Sequence, residues 1–325
     1  VLTTLLPGAA RKPEPLKIRR PEIWETAVAA ADLKRAPKQE ALFELIRRSG
    51  GRLAAEDIRA AGFERTHLRG LAAKGFIRKC EAVAGVPPRP EVDLPELNPE
   101  QAAALTALEG GSGFNPVLLD GITGSGKTEV YLRFIEQVLD AGRQVLVLVP
   151  EIALTPQTLA RFEARFGAAA VMHSNLTDTA RLQVWLKVRS GEARILIGTR
   201  SAVLTPFADL GLIVVDEEHD SSFKQTDGLR YSARDLAVKR ARDLGIPLIL
   251  GSATPSFESL NNALSGRYQH LRLTERAGGA SLPTYELIDI RGHSLDGGMS
   301  EPLLRAIAAH LDAGGQALVF LNRRG

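Results

Sequence analysis

The stretch "PVLLDGITGSGKTEVYL", residues 116–132, joins an apolar run to a helical pattern through a loop with three glycines. Residues 121–128 fit the pattern G-x-x-x-x-G-K-[S/T] in full, in the strand–loop–helix setting that a phosphate-binding loop requires. Backbone N–H groups and the helix amino end then face the phosphates, a lysine neutralises them and a hydroxyl is offered to Mg²⁺. We therefore predict that ATP is bound by Gly121, Ile122, Thr123, Gly124, Ser125, Gly126, Lys127 and Thr128.

The same glycines do not complete a dinucleotide-binding fingerprint. That fingerprint is G-x-G-x-x-G, and although Gly124 and Gly126 begin it, Glu129 occupies the position of the last glycine. The loop therefore indicates a nucleoside triphosphate.

Polar residues end two further apolar runs. In "LIVVDEEHD", residues 212–220, Asp216 is placed to hold Mg²⁺ and Glu217 to polarise the attacking water, so that Lys127, Asp216 and Glu217 are the candidate catalytic residues. In "LILGSATPS", residues 248–256, Ser252 and Thr254 suit a sensor between the nucleotide and a second ligand. Together with the phosphate loop, these runs predict ATP and Mg²⁺ as cofactors, with Thr128 and Asp216 as the metal ligands.

The fold class predicted from residue 98 onward is α/β, with a parallel sheet. Its apolar runs are continuous rather than alternating, as expected of strands covered by helices on both faces. Helical patterns closed by glycine separate them, which predicts an open sheet with ligands at the carboxyl ends of its strands. The runs are residues 116–120, 145–150, 169–174, 194–199, 211–218, 246–252 and 317–325.

The amino-terminal part has a different pattern. Three short helical segments followed by a strand predict a winged helix over residues 36–84, with a small helical docking module as the open alternative. Four prolines make residues 85–97 a stiff linker. We expect residues 1–35 to be a domain tail and linker, 98–290 a first nucleotide-binding lobe and 291–325 the start of a second.

Composition limits the remaining classes. The chain has 325 residues and a net charge of +3, which mildly favours a polyanionic partner. No apolar run approaches the roughly 18 residues that a membrane span needs, and no export signal is visible, so we expect no membrane partner and a cytoplasmic location. A single cysteine, Cys80, excludes a cysteine zinc cage within these residues. Because the chain lacks an initial methionine and stops just after an apolar run, we expect it to be a fragment.

The order of the motifs resembles superfamily-two helicases of the DExH type. "LNPEQ", "GITGSGKT", "PEIALTPQ", "GTRSA", "DEEH", "GSATPS" and "VFLNRRG" follow one another between residues 97 and 325. The insert "SSFKQTDGLRYSARD", residues 221–235, is not a general helicase feature and is similar to that of the replication-restart DNA helicases. The resemblance covers nearly all of residues 98–325, and the winged-helix pattern agrees with it. It implies a RecA-like helicase lobe over residues 98–290 and the truncated start of a second helicase lobe over residues 291–325.

The resemblance implies an ATP-driven 3′-to-5′ DNA helicase that binds stalled or abandoned replication forks and begins primosome assembly. Its implied partners are forked and single-stranded DNA, other primosome proteins and the single-strand DNA-binding protein. Zn²⁺ would bind only in a cysteine-rich insertion outside these residues. Because ATP normally lies between two lobes, we expect this chain alone to hydrolyse ATP weakly or not at all.

The resemblance also implies roles for individual residues. Gln101 would read adenine, and His219 would couple hydrolysis to strand movement. The residues implied to line the DNA track or to form an aromatic-rich loop against DNA are Pro150, Glu151, Thr199, Arg200, Phe223, Lys224, Arg230 and Tyr231. Two alternatives stay open: another DExH translocase, or a non-catalytic DNA-binding recruitment module.

Overall fold

The computed structural model describes residues 7–11, 22–28, 33, 36–81, 93–277, 284–292 and 294–320. The chain divides into two compact units, Val1–Gly278 and Gly279–Gly325. The division lies earlier in the chain than the predicted boundary at residue 290.

The amino-terminal part of the first unit is a small α+β structure. Three antiparallel strands in the order β2-β1-β3 pack with three helices around a core that includes Phe43, Ile58 and Leu71. Its elements are β1 (Glu22–Thr26), α1 (Pro37–Arg48), β2 (Arg52–Ala54), α2 (Ala55–Ala60), α3 (Arg65–Ala73) and β3 (Ile77–Glu81).

Strand β1 lies upstream of the predicted domain boundary at residue 35. It is nevertheless the central strand of this sheet, because Trp24 pairs with both Leu53 and Lys79. The sheet therefore includes residues that the sequence analysis assigned to a tail and linker. The winged-helix assignment stays a prediction. Residues 85–92 of the predicted linker lie outside the described residues.

The rest of the first unit is a seven-stranded parallel sheet in the order β12-β4-β11-β8-β5-β7-β6. Its strands are β4 (Pro116–Gly121), β5 (Gln144–Leu148), β6 (Ala170–Met172), β7 (Ile195–Gly198), β8 (Leu210–Asp216), β11 (Leu248–Ser252) and β12 (Gln269–Leu273). Its helices are α4 (Pro99–Glu109), α5 (Lys127–Asp140), α6 (Pro156–Phe166), α7 (Asp178–Arg189), α8 (Ala233–Leu244) and α9 (Phe257–Leu264). A hairpin of β9 (Lys224–Gln225) and β10 (Tyr231–Ser232) lies between β8 and α8.

The sheet is buried on both faces. One apolar layer includes Leu118, Leu146 and Ile213, and the other includes Val147 and Val214 from the opposite side of the same strands. This two-sided burial explains the continuous apolar runs and confirms the α/β parallel-sheet class.

Six of the seven predicted runs form strands, but the prediction for residues 317–325 is wrong over its described part. Residues 317–320 form no strand, and the seventh strand is instead β12, "QHLRL". Within the described residues this strand pairs with β4 alone, at one edge of the sheet, and its partly exposed residues mix polar and apolar side chains. Hydrophobic patterning missed it because "QHLRL" contains no continuous apolar run.

The second unit contains a short hairpin and a helix. Its elements are β13 (Leu295–Asp296), β14 (Met299–Ser300) and α10 (Glu301–Asp312). Throughout the described part of the chain, every helix falls short of the length and apolar character needed to cross a membrane.

Candidate active site

Strands β4, β11 and β8 are neighbours in the sheet, and their carboxyl ends lie side by side. The pairing of Ser252 with Asp120 and of Gly251 with Asp216 sets this register. The phosphate loop, the "GSATPS" loop and the "DEEH" motif therefore leave the sheet at one edge, where open α/β sheets bind ligands.

The phosphate loop is a compact turn between β4 and α5. The Ile122 N–H donates to the Leu273 carbonyl over 3.1 Å, and the Ser125 N–H donates to the Ile122 carbonyl over 3.0 Å. Gly124 and Gly126 have φ angles of 82° and 81°, in the left-handed region that disfavours any side chain. The two glycines thus allow the chain to turn from the strand into the helix.

The loop holds polar groups suited to a buried anion. Lys127 is 8% exposed, and its Nζ donates to the Gly121 carbonyl over 2.7 Å. The Ser125 hydroxyl is buried and has no hydrogen-bond partner among the described residues. A buried ammonium is best stabilised by an opposite charge. These groups therefore fit a phosphate at the helix amino terminus.

Tyr131 connects the phosphate loop to the acidic motif. Its buried hydroxyl donates to Asp216 Oδ2 over 3.1 Å, and the Thr128 side chain lies near this phenol. One phenol thus lies close to both predicted metal ligands, Thr128 and Asp216. Sequence reasoning missed Tyr131, although its place one turn after Lys127 on the apolar face of α5 was a usable signal.

Burial dominates the electrostatics around Asp216. It raises the pKa of this carboxyl, and the neighbouring Glu217 charge raises it further, against the hydrogen bond from Tyr131. The pKa of Tyr131 lies well above its ordinary value because of burial and the adjacent Asp216 charge. A cation at this site would relieve both effects.

The donor set fits Mg²⁺ bound together with a nucleotide. No group of three or more His, Cys, Asp or Glu residues capable of holding a metal occurs in the described ranges. Thr128 and Asp216 would instead supply two oxygens, and phosphates and water would supply the others, which is how Mg²⁺ is usually held. These two residues remain the predicted ligands.

The acidic motif is tied to the neighbouring "GSATPS" loop. His219 Nδ1 lies 2.8 Å from the Ser252 hydroxyl, and the Thr254 N–H donates to that hydroxyl over 3.0 Å. His219 Nδ1 is also 3.6 Å from Glu217 Oε2. The structure therefore brings together the predicted catalytic Glu217 and the three predicted coupling residues.

Both polar atoms of the Gln101 side chain already form hydrogen bonds within the protein. It is 4% exposed, its Oε1 accepts from the Asn98 N–H, and its Nε2 donates to the Ser125 carbonyl over 2.8 Å. It thus caps helix α4 and braces the phosphate loop. Its contact with adenine stays a prediction.

Arg200 anchors the segment after the acidic motif. Its guanidinium donates to the carbonyls of Ser222 and Lys224, each over 3.0 Å, and lies near the Tyr231 side chain. Lys224 and Arg230 are exposed, so their cations are accessible to a phosphate backbone. The structure thus places Arg200 next to the predicted aromatic-rich loop.

The other predicted DNA-track residues follow β5 and β7, which are neighbours in the sheet. Pro150 and Thr199 are buried, whereas Glu151 is exposed. Their DNA contacts stay predictions.

The prediction that Phe223 stacks on bases is corrected by its burial. The ring is 2% exposed and packs in the same apolar layer as Leu118 and Ile213. A ring enclosed by the core offers no face to a base, so Phe223 is a packing residue that fixes the loop to the sheet.

The fold and site together define an α/β lobe with a phosphate loop and a RecA-like parallel sheet. The sequence pattern of the DEAD/DEAH box helicases matches residues 98–263, and the chain belongs to that family. Within it, the chain is similar to proteins named Replication restart protein PriA.

The similarity is 56% identity over 230 residues with PriA of Haemophilus influenzae, covering 70% of this chain and 32% of that protein. It is 45% over 248 residues with PriA of Chlamydia pneumoniae, covering 74% and 33%. PriA of Bacillus subtilis is 45% identical over 212 residues, covering 64% and 26%. The chain thus spans about a third of the length of these relatives or less.

Proposed function

We propose that this chain is the ATP-binding part of a DNA helicase that translocates 3′ to 5′ and restarts replication at stalled or abandoned forks. The observation that supports it most is the Tyr131 hydroxyl, which donates to Asp216 of the acidic motif from the helix that begins at the phosphate loop. Similarity to PriA proteins supports the restart function and DNA as the partner.

Each site residue has a role in hydrolysis. The ammonium of Lys127 moves from the Gly121 carbonyl to the phosphates of ATP, where it neutralises charge. Thr128 and Asp216 hold Mg²⁺, which supplies charge neutralisation on the phosphate oxygens. The Glu217 carboxylate orients the attacking water and accepts its proton. His219, which is hydrogen-bonded to Ser252, changes position when the phosphate leaves.

The nucleic-acid side of the proposal involves Arg200 and the β9–β10 hairpin. Arginine and lysine contacts to phosphates position a strand without reading its sequence, which suits translocation. By resemblance, primosome proteins and the single-strand DNA-binding protein are further proposed partners. The winged helix is proposed as an additional DNA contact.

Unwinding by the full-length protein tests this proposal. Substrates are a replication fork and partial duplexes with a 3′ or a 5′ single-stranded tail. We expect ATP-dependent unwinding of the fork and of the partial duplex with a 3′ single-stranded tail, because a helicase bound to that tail reaches the duplex by moving 3′ to 5′. Unwinding of only the duplex with a 5′ tail would contradict the proposed 3′-to-5′ direction of movement. DNA binding without any ATP hydrolysis would favour the recruitment module instead.

A further inference from the structure

Glu218 is a buried carboxylate inside the acidic motif that the proposed hydrolysis does not use. Its side chain is fully buried beside Arg234, whose guanidinium donates to Oε2 over 3.1 Å. Oε2 also accepts from the hydroxyls of Ser256 and Ser259, over 3.0 and 2.8 Å, and Oε1 accepts from the Ser256 N–H over 2.7 Å. We call Glu218, Arg234, Ser256 and Ser259 the Glu218 network.

The Glu218 network joins three elements at the carboxyl edge of the sheet. Glu218 follows β8, Arg234 lies in the first turn of α8, and the two serines lie at the start of α9. Arg234 also donates to the Ser256 hydroxyl over 2.6 Å, so the network is closed on itself. Every oxygen of the buried carboxylate therefore has a partner.

The residue before Glu218 has an unfavourable backbone conformation. Glu217 is the only non-glycine residue in the described ranges with a positive φ, 48°. A side chain in this region costs free energy, and it persists only where the surroundings hold it. The neighbours are held: the Glu218 N–H donates to the Gly251 carbonyl over 3.0 Å, and the Asp220 N–H to the Glu217 carbonyl over 2.9 Å.

We propose that Glu218 is a positioning residue whose network holds Glu217 in this left-handed conformation and thereby aims its carboxylate at the attacking water. This rests on the proposed hydrolysis by Glu217. A buried ion pair is a poor means of adding stability, because apolar residues of similar size do as well. The need to fix one conformation of Glu217 at the site of hydrolysis explains the presence of this ion pair better.

Steady-state ATP hydrolysis by the full-length protein tests the proposal. Glu218→Gln keeps the size but removes the charge. We expect kcat to fall about 10- to 100-fold, as for small displacements of catalytic groups, with KM for ATP changed less than about 3-fold. Glu258→Gln is the matched control, because this exposed carboxylate lies 3.8 Å from Arg234 without contacting the acidic motif. It should change kcat less than about 2-fold.

A double-mutant cycle separates positioning from a merely structural role. If Glu218 acts through Glu217, then Glu218→Gln in a Glu217→Gln background should lower the residual rate by less than about 3-fold. Independent, multiplicative losses would overturn the proposal, and so would an unchanged kcat in Glu218→Gln. A loss of turnover in Lys127→Ala and Glu217→Gln but not in Glu218→Gln would sink this inference and leave the proposed function intact.

A second variant applies if Glu218→Gln does not fold. Ser259→Ala removes one hydroxyl donor and keeps the ion pair. We expect a smaller fall in kcat, about 3- to 10-fold, again with KM nearly constant. An unchanged kcat in a folded Ser259→Ala protein would also overturn the proposal.

Discussion

The Tyr131 hydroxyl lies 3.1 Å from Oδ2 of Asp216 and donates a hydrogen bond to it. This bond crosses from the first turns of α5 to the end of β8, and so connects the two motifs that ATP and Mg²⁺ would join.

Tyr131→Phe removes this bond while keeping the ring. Because residues that orient a metal ligand affect metal affinity, we expect the Mg²⁺ concentration for half-maximal ATP hydrolysis to rise about 10-fold. The measurement is a Mg²⁺ titration of hydrolysis. Tyr268→Phe is the control, since this half-buried phenol lies near Asn262 in the same lobe. An unchanged Mg²⁺ requirement in Tyr131→Phe would show that the bond does not orient Asp216.

Asp216→Asn should stabilise the nucleotide-free protein. Burial and Glu217 raise the pKa of Asp216, so its charged form is disfavoured in the folded state. The native state then binds a proton more readily than the unfolded state, and the charge destabilises the fold above the raised pKa. We expect Tm in EDTA at neutral pH to increase by about 2–4 °C, with hydrolysis lost.

The stabilisation by Asp216→Asn should depend on pH. It should be largest above the raised pKa of Asp216 and disappear as the pH falls below the ordinary pKa of aspartate, where both the folded and the unfolded states are protonated. A lower Tm for the variant at neutral pH would contradict this reasoning.

Two substitutions of Phe223 distinguish a packing role from a base-stacking role. Phe223→Ala should lower the free energy of unfolding by about 3–5 kcal/mol, as for other buried phenylalanines. Phe223→Leu keeps apolar volume and should leave single-stranded DNA affinity within about 2-fold, whereas loss of a stacking ring would cost about 1–3 kcal/mol of binding. Calorimetry and fluorescence anisotropy measure the two effects. Weaker DNA binding by a stable Phe223→Leu protein would restore the stacking role.

Arg200 should contribute to the salt dependence of DNA binding. Neutralising phosphates releases counterions, so affinity falls steeply with added salt, and losing one contact should reduce the slope by about 1. Titrations of single-stranded DNA at several salt concentrations compare wild type with Arg200→Ala. Arg189→Ala is the control, because this guanidinium lies 5.2 Å from the Trp185 ring at the far end of α7. Equal slopes for wild type and Arg200→Ala would argue against a phosphate contact.

The sequence predicted the sheet better than the contacts within the site. Continuous apolar runs identified the five interior strands, because burial on both faces leaves a local signature, and also the edge strand β6. Strand β12 escaped because its sequence, "QHLRL", contains no such run. Lys127, Asp216 and Glu217 could be predicted as candidates because they follow strands in recognisable motifs.

Other features depend on distant contacts that no local pattern encodes. The role of Tyr131 requires Asp216, which is 85 positions away in the chain. The burial of Glu218 requires Arg234 and the start of α9, and the burial of Phe223 follows from how its loop folds onto the sheet. An acidic run would ordinarily be expected at the surface, as would a connecting loop.

DNA-stimulated ATP hydrolysis by full-length wild type and Lys127→Ala tests the central claim most directly. The Lys127 ammonium is held at the phosphate loop by a carbonyl that ATP would replace. We expect Lys127→Ala to abolish stimulated turnover while keeping most of its affinity for forked DNA. Turnover equal to wild type in the folded variant would contradict the assignment of this loop to ATP.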